Sequence, residues 1–168
     1  MAKLRFLVVG SGWRSLFYVR IAQALPQQFE LCAVLCRSQE KAEQIRRYGA
    51  PVSTSPEQCA AMRPDFVVVA VNKASLAQVS KEWIERGFAV LCETPAALET
   101  DQLRTLWKLH TSGAKLQIAE QYWLYPAVAA KLQAVRQGLV GQPAFARLSL
   151  AHCLLYTSPS PRDRQKSR

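Results

Sequence analysis

The chain has 168 residues, of which 49% are hydrophobic and 20% charged, with 7 Gly and 9 Pro. That composition excludes collagen-like, low-complexity and fully disordered classes, and the length suits one globular domain. Net charge is +10, from 22 basic and 12 acidic residues. The basic residues are scattered rather than gathered in a run, so they read as solvated faces and no nucleic-acid partner is expected. No apolar run approaches the roughly 20 residues of a membrane span. The opening stretch has no small-residue cleavage pattern either, so the expectation is a cytoplasmic protein with no membrane partner. Cys32, Cys36, Cys59, Cys92 and Cys153 form no C-x-x-C pair and only two histidines accompany them, so no metal site is expected. Cys32, Cys36 and Cys92 lie in apolar runs and read as small hydrophobes.

Along the chain, short apolar runs alternate with amphipathic stretches. Leu4–Val9 predicts a strand, and a helix from about Arg14 to Leu25 follows, closed by Pro26. Leu31–Leu35 predicts a second strand, Gln39–Tyr48 a charged helix ended by Gly49, and Val52 a weak third strand. Ser55-Pro56-Glu57 opens a short helix with proline in its first turn. Asp65–Val71 is apolar on both faces, as a buried parallel strand is. Then come a helix Ala74–Arg86 stopped by Gly87, a strand Ala89–Cys92, a helix Thr100–Thr111, a strand Lys115–Ala119 and a helix Pro126–Gln137 ended by Gly138.

Strands and helices alternating at this spacing predict an α/β fold, a doubly wound, mainly parallel Rossmann sheet with helices on both faces. We assign residues 1–143 to it. Ala144–Ala151 reads as a strand of a different pattern, so residues 144–152 are expected to begin a truncated substrate domain. Residues 153–168 are rich in Ser, Pro and Arg without periodicity. They are expected to be disordered, and they resemble a translated sequencing adapter, so they are set aside as non-native. The competing reading of that tail is a basic nucleic-acid arm.

Gly10-Ser11-Gly12-Trp13-Arg14-Ser15 has the form G-x-G-x-x-small, between a predicted strand and a predicted helix. This context marks a dinucleotide-binding turn. Gly10 permits the tight bend, Gly12 lets backbone N–H groups approach a diphosphate, and Ser15 is small enough for the helix to pack on the sheet. The second strand ends Leu35-Cys36-Arg37-Ser38, with no carboxylate to hold a ribose 2′-hydroxyl. Arg37 can pair with a 2′-phosphate and Ser38 can donate to it, so NADP is expected over NAD, with Arg14 added to the same phosphate pocket. Arg37 as a solvated loop residue is the bland alternative.

Together with Asp65–Val71, Gly87–Pro95 and Gly138-Leu139-Val140-Gly141, these residues resemble the Gfo/Idh/MocA family of NAD(P)-dependent oxidoreductases over about Lys3–His152. The resemblance implies an enzyme of about twice this length, with the cofactor domain first and a second domain covering nicotinamide and substrate. It implies hydride transfer to or from sugars, inositols, related polyols or biliverdin-like compounds, and homo-oligomers formed by the full-length protein. On that reading this chain, lacking most of the substrate domain, is inactive alone. The family's Glu-Lys-Pro stands here as Glu93-Thr94-Pro95, and Thr94 cannot supply the lysine's positive charge. Val71-Asn72-Lys73 replaces the family's proline-containing turn; Lys73 either stands in for the missing charge or is a solvated helix-start lysine. Glu120-Gln121-Tyr122 follows the sixth strand at the substrate edge, where Glu120 and Tyr122 are candidates for polar contacts; the alternative is a buried strand-end network that orients the loop. Thr94, Lys73 and Glu120 are therefore the candidate catalytic residues. Gly10, Ser11, Gly12, Trp13, Arg14, Ser15, Arg37, Ser38, Val71, Asn72, Glu93, Pro95 and Gln121 are the candidate cofactor contacts. The departure at Thr94 keeps a second reading open, a non-catalytic dinucleotide sensor or scaffold. His110 reads as a helix-end charge, and Trp83, Trp107 and Trp123 as helix–sheet packing.

Overall fold

A strand with large apolar side chains at successive positions must be covered on both sides, and β1 (Leu4–Val9) is built that way. The computed structural model, which describes residues 2–145 and 147, sends Phe6 and Val8 into one core and Leu7 and Val9 into the other. After it come α1 (Trp13–Ala24), β2 (Phe29–Leu35), α2 (Gln39–Arg46), β3 (Val52–Ser53), α3 (Pro56–Ala61) and β4 (Phe66–Val69). They are followed by α4 (Leu76–Glu85), β5 (Ala89–Cys92), α5 (Thr100–Thr111), β6 (Leu116–Ile118) and α6 (Pro126–Arg136).

The strands form one six-stranded sheet in the order β3-β2-β1-β4-β5-β6, every pair parallel. Val19 of α1 and Ala42 and Ile45 of α2 pack on the Phe6 face. Leu76 and Trp83 of α4 and Leu106 of α5 pack on the Leu7 face. The doubly wound Rossmann arrangement expected from the sequence is therefore the observed one. The strand order reverses at β1, leaving a crevice beyond the carboxyl ends of β1 and β4, where such sheets bind ligands.

The element ends differ from expectation where side chains compete for the backbone. β4 begins one residue late because the Asp65 carboxylate accepts the Arg5 backbone N–H at 2.7 Å. It ends at Val69, and Ala70 presses its carbonyl against Gly10. The helix expected from Ala74 is a 3-10 turn, Lys73–Ser75, before α4 proper, because the Asn72 side chain accepts the Ser75 N–H at 3.1 Å. Trp83 is buried, as expected of a packing residue. Trp107 and Trp123 are 64% and 56% exposed, contrary to that expectation, and Trp107 lies beside His110 in the last turn of α5.

The chain divides into two units, residues 1–121 with the whole sheet and a second opening at Tyr122. The first unit ends three residues after β6, and α6, in the second unit, contributes no buried residue. Residues 144, 145 and 147 are not in a strand. The rest of the expected Ala144–Ala151 strand, with His152, Cys153 and the tail, lies outside the described residues.

Candidate functional site

Gly10 lies at φ +123°, and a Cβ there would stand 2.4 Å from the Ala70 carbonyl oxygen. The bend therefore requires glycine, because a side chain would collide with backbone that cannot yield. Gly12 is the N-cap of α1, and a Cβ there would meet no protein atom within 4 Å. Its missing side chain leaves space rather than relieving a clash. Ser38 and Ser55 cap α2 and α3, accepting the N–H groups of Lys41 and Gln58 at 3.3 and 3.2 Å. α1 has neither a side-chain cap nor an acidic residue in its first turn. Its first N–H groups face the crevice without a side-chain acceptor, a site for an anion worth about 0.3–1 kcal/mol when exposed and up to about 2 kcal/mol when partly buried.

This turn forms the floor of a cleft of about 960 Å³ at the carboxyl ends of β1, β2, β4 and β5. Gly10, Ser11, Gly12, Trp13, Arg14, Arg37, Val71, Asn72, Lys73, Glu93 and Thr94 line it, so the structure brings together most of the residues singled out from sequence. Ser15 is fully buried and does not line the cleft; its role is to let α1 pack against the sheet. Ser38 is turned to its capping bond, Pro95 follows Thr94 through a cis peptide, and neither lines the cleft. Glu120 and Gln121 are exposed beyond β6 and do not line it either.

Residues 4–120 match the model of an oxidoreductase family with an NAD-binding Rossmann fold, Gfo/Idh/MocA. The chain belongs to that family. No curated protein sequence matches it significantly. Among solved structures it is similar to GenD2 of gentamicin A biosynthesis, solved with NAD (28% identity, TM-score 0.68, 82% of this chain and 41% of that one). It is also similar in fold to an oxidoreductase of Thermotoga maritima (24% identity, TM-score 0.73, 84% and 45%). The WlbA dehydrogenase of Bordetella pertussis, solved with NADH and UDP-GlcNAcA, shares the fold too (22% identity, TM-score 0.73, 84% and 44%). The chain thus spans less than half the length of these structures.

In this Gfo/Idh/MocA domain the two ends of the cleft differ. At the β2 end, Arg37 is exposed and is joined by Lys41, a lining residue not singled out from sequence. Its signal was position: Lys41 is a cation in the first turn of α2, the helix that directly follows the end of β2. Glu40, in the same turn, hydrogen-bonds Gln44 and does not line the cleft. At the β5 end, the buried Glu93 carboxylate accepts a bond from the Tyr18 hydroxyl at 2.6 Å and pairs with Arg14 Nε at 3.2 Å. Burial first, then this bond to a carboxylate, pushes the Tyr18 phenol above its ordinary pKa. The Arg14 guanidinium also lies 5.0 Å from the Trp13 ring centre and 5.4 Å from that of Phe17.

Arg14 was expected beside Arg37, and the structure pairs it with Glu93 at the β5 end of the same cleft. β1 and β4 separate β2 from β5, so three strand spacings of about 4.8 Å lie between the Arg37 end and Glu93. The Glu93 carboxylate, itself held by Tyr18, draws Arg14 to the far end. Among the described residues no group of three or more His, Cys, Asp or Glu side chains converges on a metal-sized site. No helix among them is long and apolar enough to cross a membrane.

Proposed function

We propose that the chain is the cofactor half of an NADP-preferring oxidoreductase that moves hydride between nicotinamide and an oxygen-bearing carbon of a sugar- or polyol-like substrate. The observation that carries the preference is the β2 end of the cleft, where Arg37 and Lys41 stand and no carboxylate does. A carboxylate there would accept a ribose 2′-hydroxyl and repel a 2′-phosphate; two cations do the reverse. The space at Gly12 and the uncapped start of α1 fit a diphosphate. When bound, the nicotinamide supplies or accepts the hydride. The chain's residues hold and orient it: backbone N–H groups of α1 take the diphosphate, and Arg37 and Lys41 take the adenosine end, with Ser38, outside the lining but next to Arg37, as a further donor at its edge. The Ser38 oxygen is engaged by the Lys41 N–H, leaving its hydroxyl proton to donate. Val71, Asn72 and Thr94 border the remaining length of the cleft, with Lys73 and Glu120 as candidates for the proton and substrate contacts.

Since the chain spans less than half of its structural relatives, we assign the rest of the substrate site to sequence beyond it and expect no turnover from these residues alone. Thr94, in place of the family's lysine, supports a second reading, a dinucleotide sensor without catalysis. Recovery of the full gene separates the two. A following domain with convergent acid–base residues supports the enzyme, and its lack the sensor.

Titrating NADPH and NADH separately tests the cofactor preference. Wild type should prefer NADPH, and Arg37→Ala should weaken NADPH by at least about tenfold while leaving NADH unchanged, as expected for loss of a charge-assisted bond. A preference unaltered by Arg37→Ala overturns the 2′-phosphate assignment.

A further inference from the structure

Among the described residues Glu93 is the one carboxylate lining the cleft, and it is nine-tenths buried. A buried carboxylate needs a cation and hydrogen-bond donors; Arg14 and Tyr18, both from α1, supply them. The bonds tie the first two turns of α1 to the end of β5 at the mouth of the cleft. Arg14 engages Glu93 through Nε, and its side chain remains about one-third exposed. A guanidinium has five N–H donors in a fixed fork, so one held through Nε can still present its other N–H groups to an anion. Arg14 is also the second residue of α1, beside the N–H groups available to a diphosphate, and its guanidinium is drawn away from the adenosine end marked by Arg37.

We propose that Arg14 binds the diphosphate phosphate on the nicotinamide side, and that Glu93 and Tyr18 are positioning residues that hold its guanidinium there. This rests on the dinucleotide reading above. It also gives this end of the cleft a cation where Thr94 provides none. An arginine carries a fixed positive charge, so the residue binds and orients but moves no proton.

Three probes separate the ends of the cleft: NADPH; ADP-ribose, which keeps the diphosphate but has no 2′-phosphate; and adenosine 2′,5′-bisphosphate, which keeps the 2′-phosphate but lacks the nicotinamide-side phosphate of the diphosphate. Affinities are measured by calorimetry on the 168-residue chain. Arg14→Met should weaken NADPH and ADP-ribose by at least about tenfold and leave the bisphosphate within about twofold. Arg37→Ala should weaken NADPH and the bisphosphate and spare ADP-ribose. Glu93→Gln should repeat the Arg14→Met pattern at about threefold, and Arg14→Lys should restore part of the loss. The double variant Arg14→Met with Glu93→Gln removes both charges, so no buried carboxylate is orphaned; it should fold and show the Arg14→Met pattern. Equal weakening of all three probes, or unchanged ADP-ribose binding in Arg14→Met, overturns the proposal. If Arg37→Ala spares the bisphosphate while the Arg14→Met pattern holds, the NADP assignment falls and the Arg14 assignment stands. Wild type that binds none of the probes ends both.

Discussion

The β2 and β5 ends of the cleft both present a cation, but in opposite electrostatic settings. Arg37 is exposed, with no carboxylate in the cleft beside it; Arg14 is held by a buried carboxylate that a tyrosine holds in turn. Removing Arg37 should remove affinity and little else. Removing a member of the Arg14 group should cost affinity and stability together, because a charge left buried without its partner is expensive. The β2 end can thus change specificity by point substitution at small cost to the fold, while the β5 end cannot.

The largest expected effect lies between the two ends. Gly12→Asp would occupy the space at the start of α1 with a carboxylate that can cap the helix itself. Gly12 already has extended backbone that any residue adopts. Dinucleotide affinity should drop by about a hundredfold while unfolding free energy stays within about 0.5 kcal/mol. Titration paired with urea unfolding reads both, and a large loss of stability would remove the claim that this glycine serves a ligand.

Glu93→Ala sharpens the contrast next. It strips Tyr18 and Arg14 of their acceptor and should cost about 2–3 kcal/mol in urea unfolding, below the value for a fully buried pair because Arg14 is partly exposed. Arg37→Ala should stay within about 0.5 kcal/mol in the same assay. Equal costs would erase the distinction between the ends.

The smallest effect is in pH. The folded-state pKa of Tyr18 is raised, so the stability its neutral form contributes is complete below the ordinary phenol value of 10.0 and is lost as pH rises beyond it. Tyr18→Phe should flatten the decline in unfolding free energy above that pH. An identical alkaline slope in the variant would show that the phenol carries none of it.

What could be read from the sequence follows how far apart the cooperating residues lie. The glycine turn and Arg37 are local: each needs only a strand end and the next few residues, and both line the cleft. Lys41 is nearly as local, in the first turn of the helix that follows. The Glu93 group joins residues 75 positions apart, and only the order β1-β4-β5 brings them together, so the pairing of Arg14 with Glu93 was not legible in the sequence. Trp107 illustrates a different limit. α5 has more apolar residues than its buried face can use: Leu106 is buried, while Leu103 and Trp107 are exposed.

The bare first turn of α1 has a practical corollary. Whatever neutralises those amides adds to the folded state and not to the unfolded one, so the melting temperature becomes a readout of occupancy that needs no substrate and no turnover. A heating series across a panel of nucleotides could therefore rank ligands for this fold before its chemistry is known.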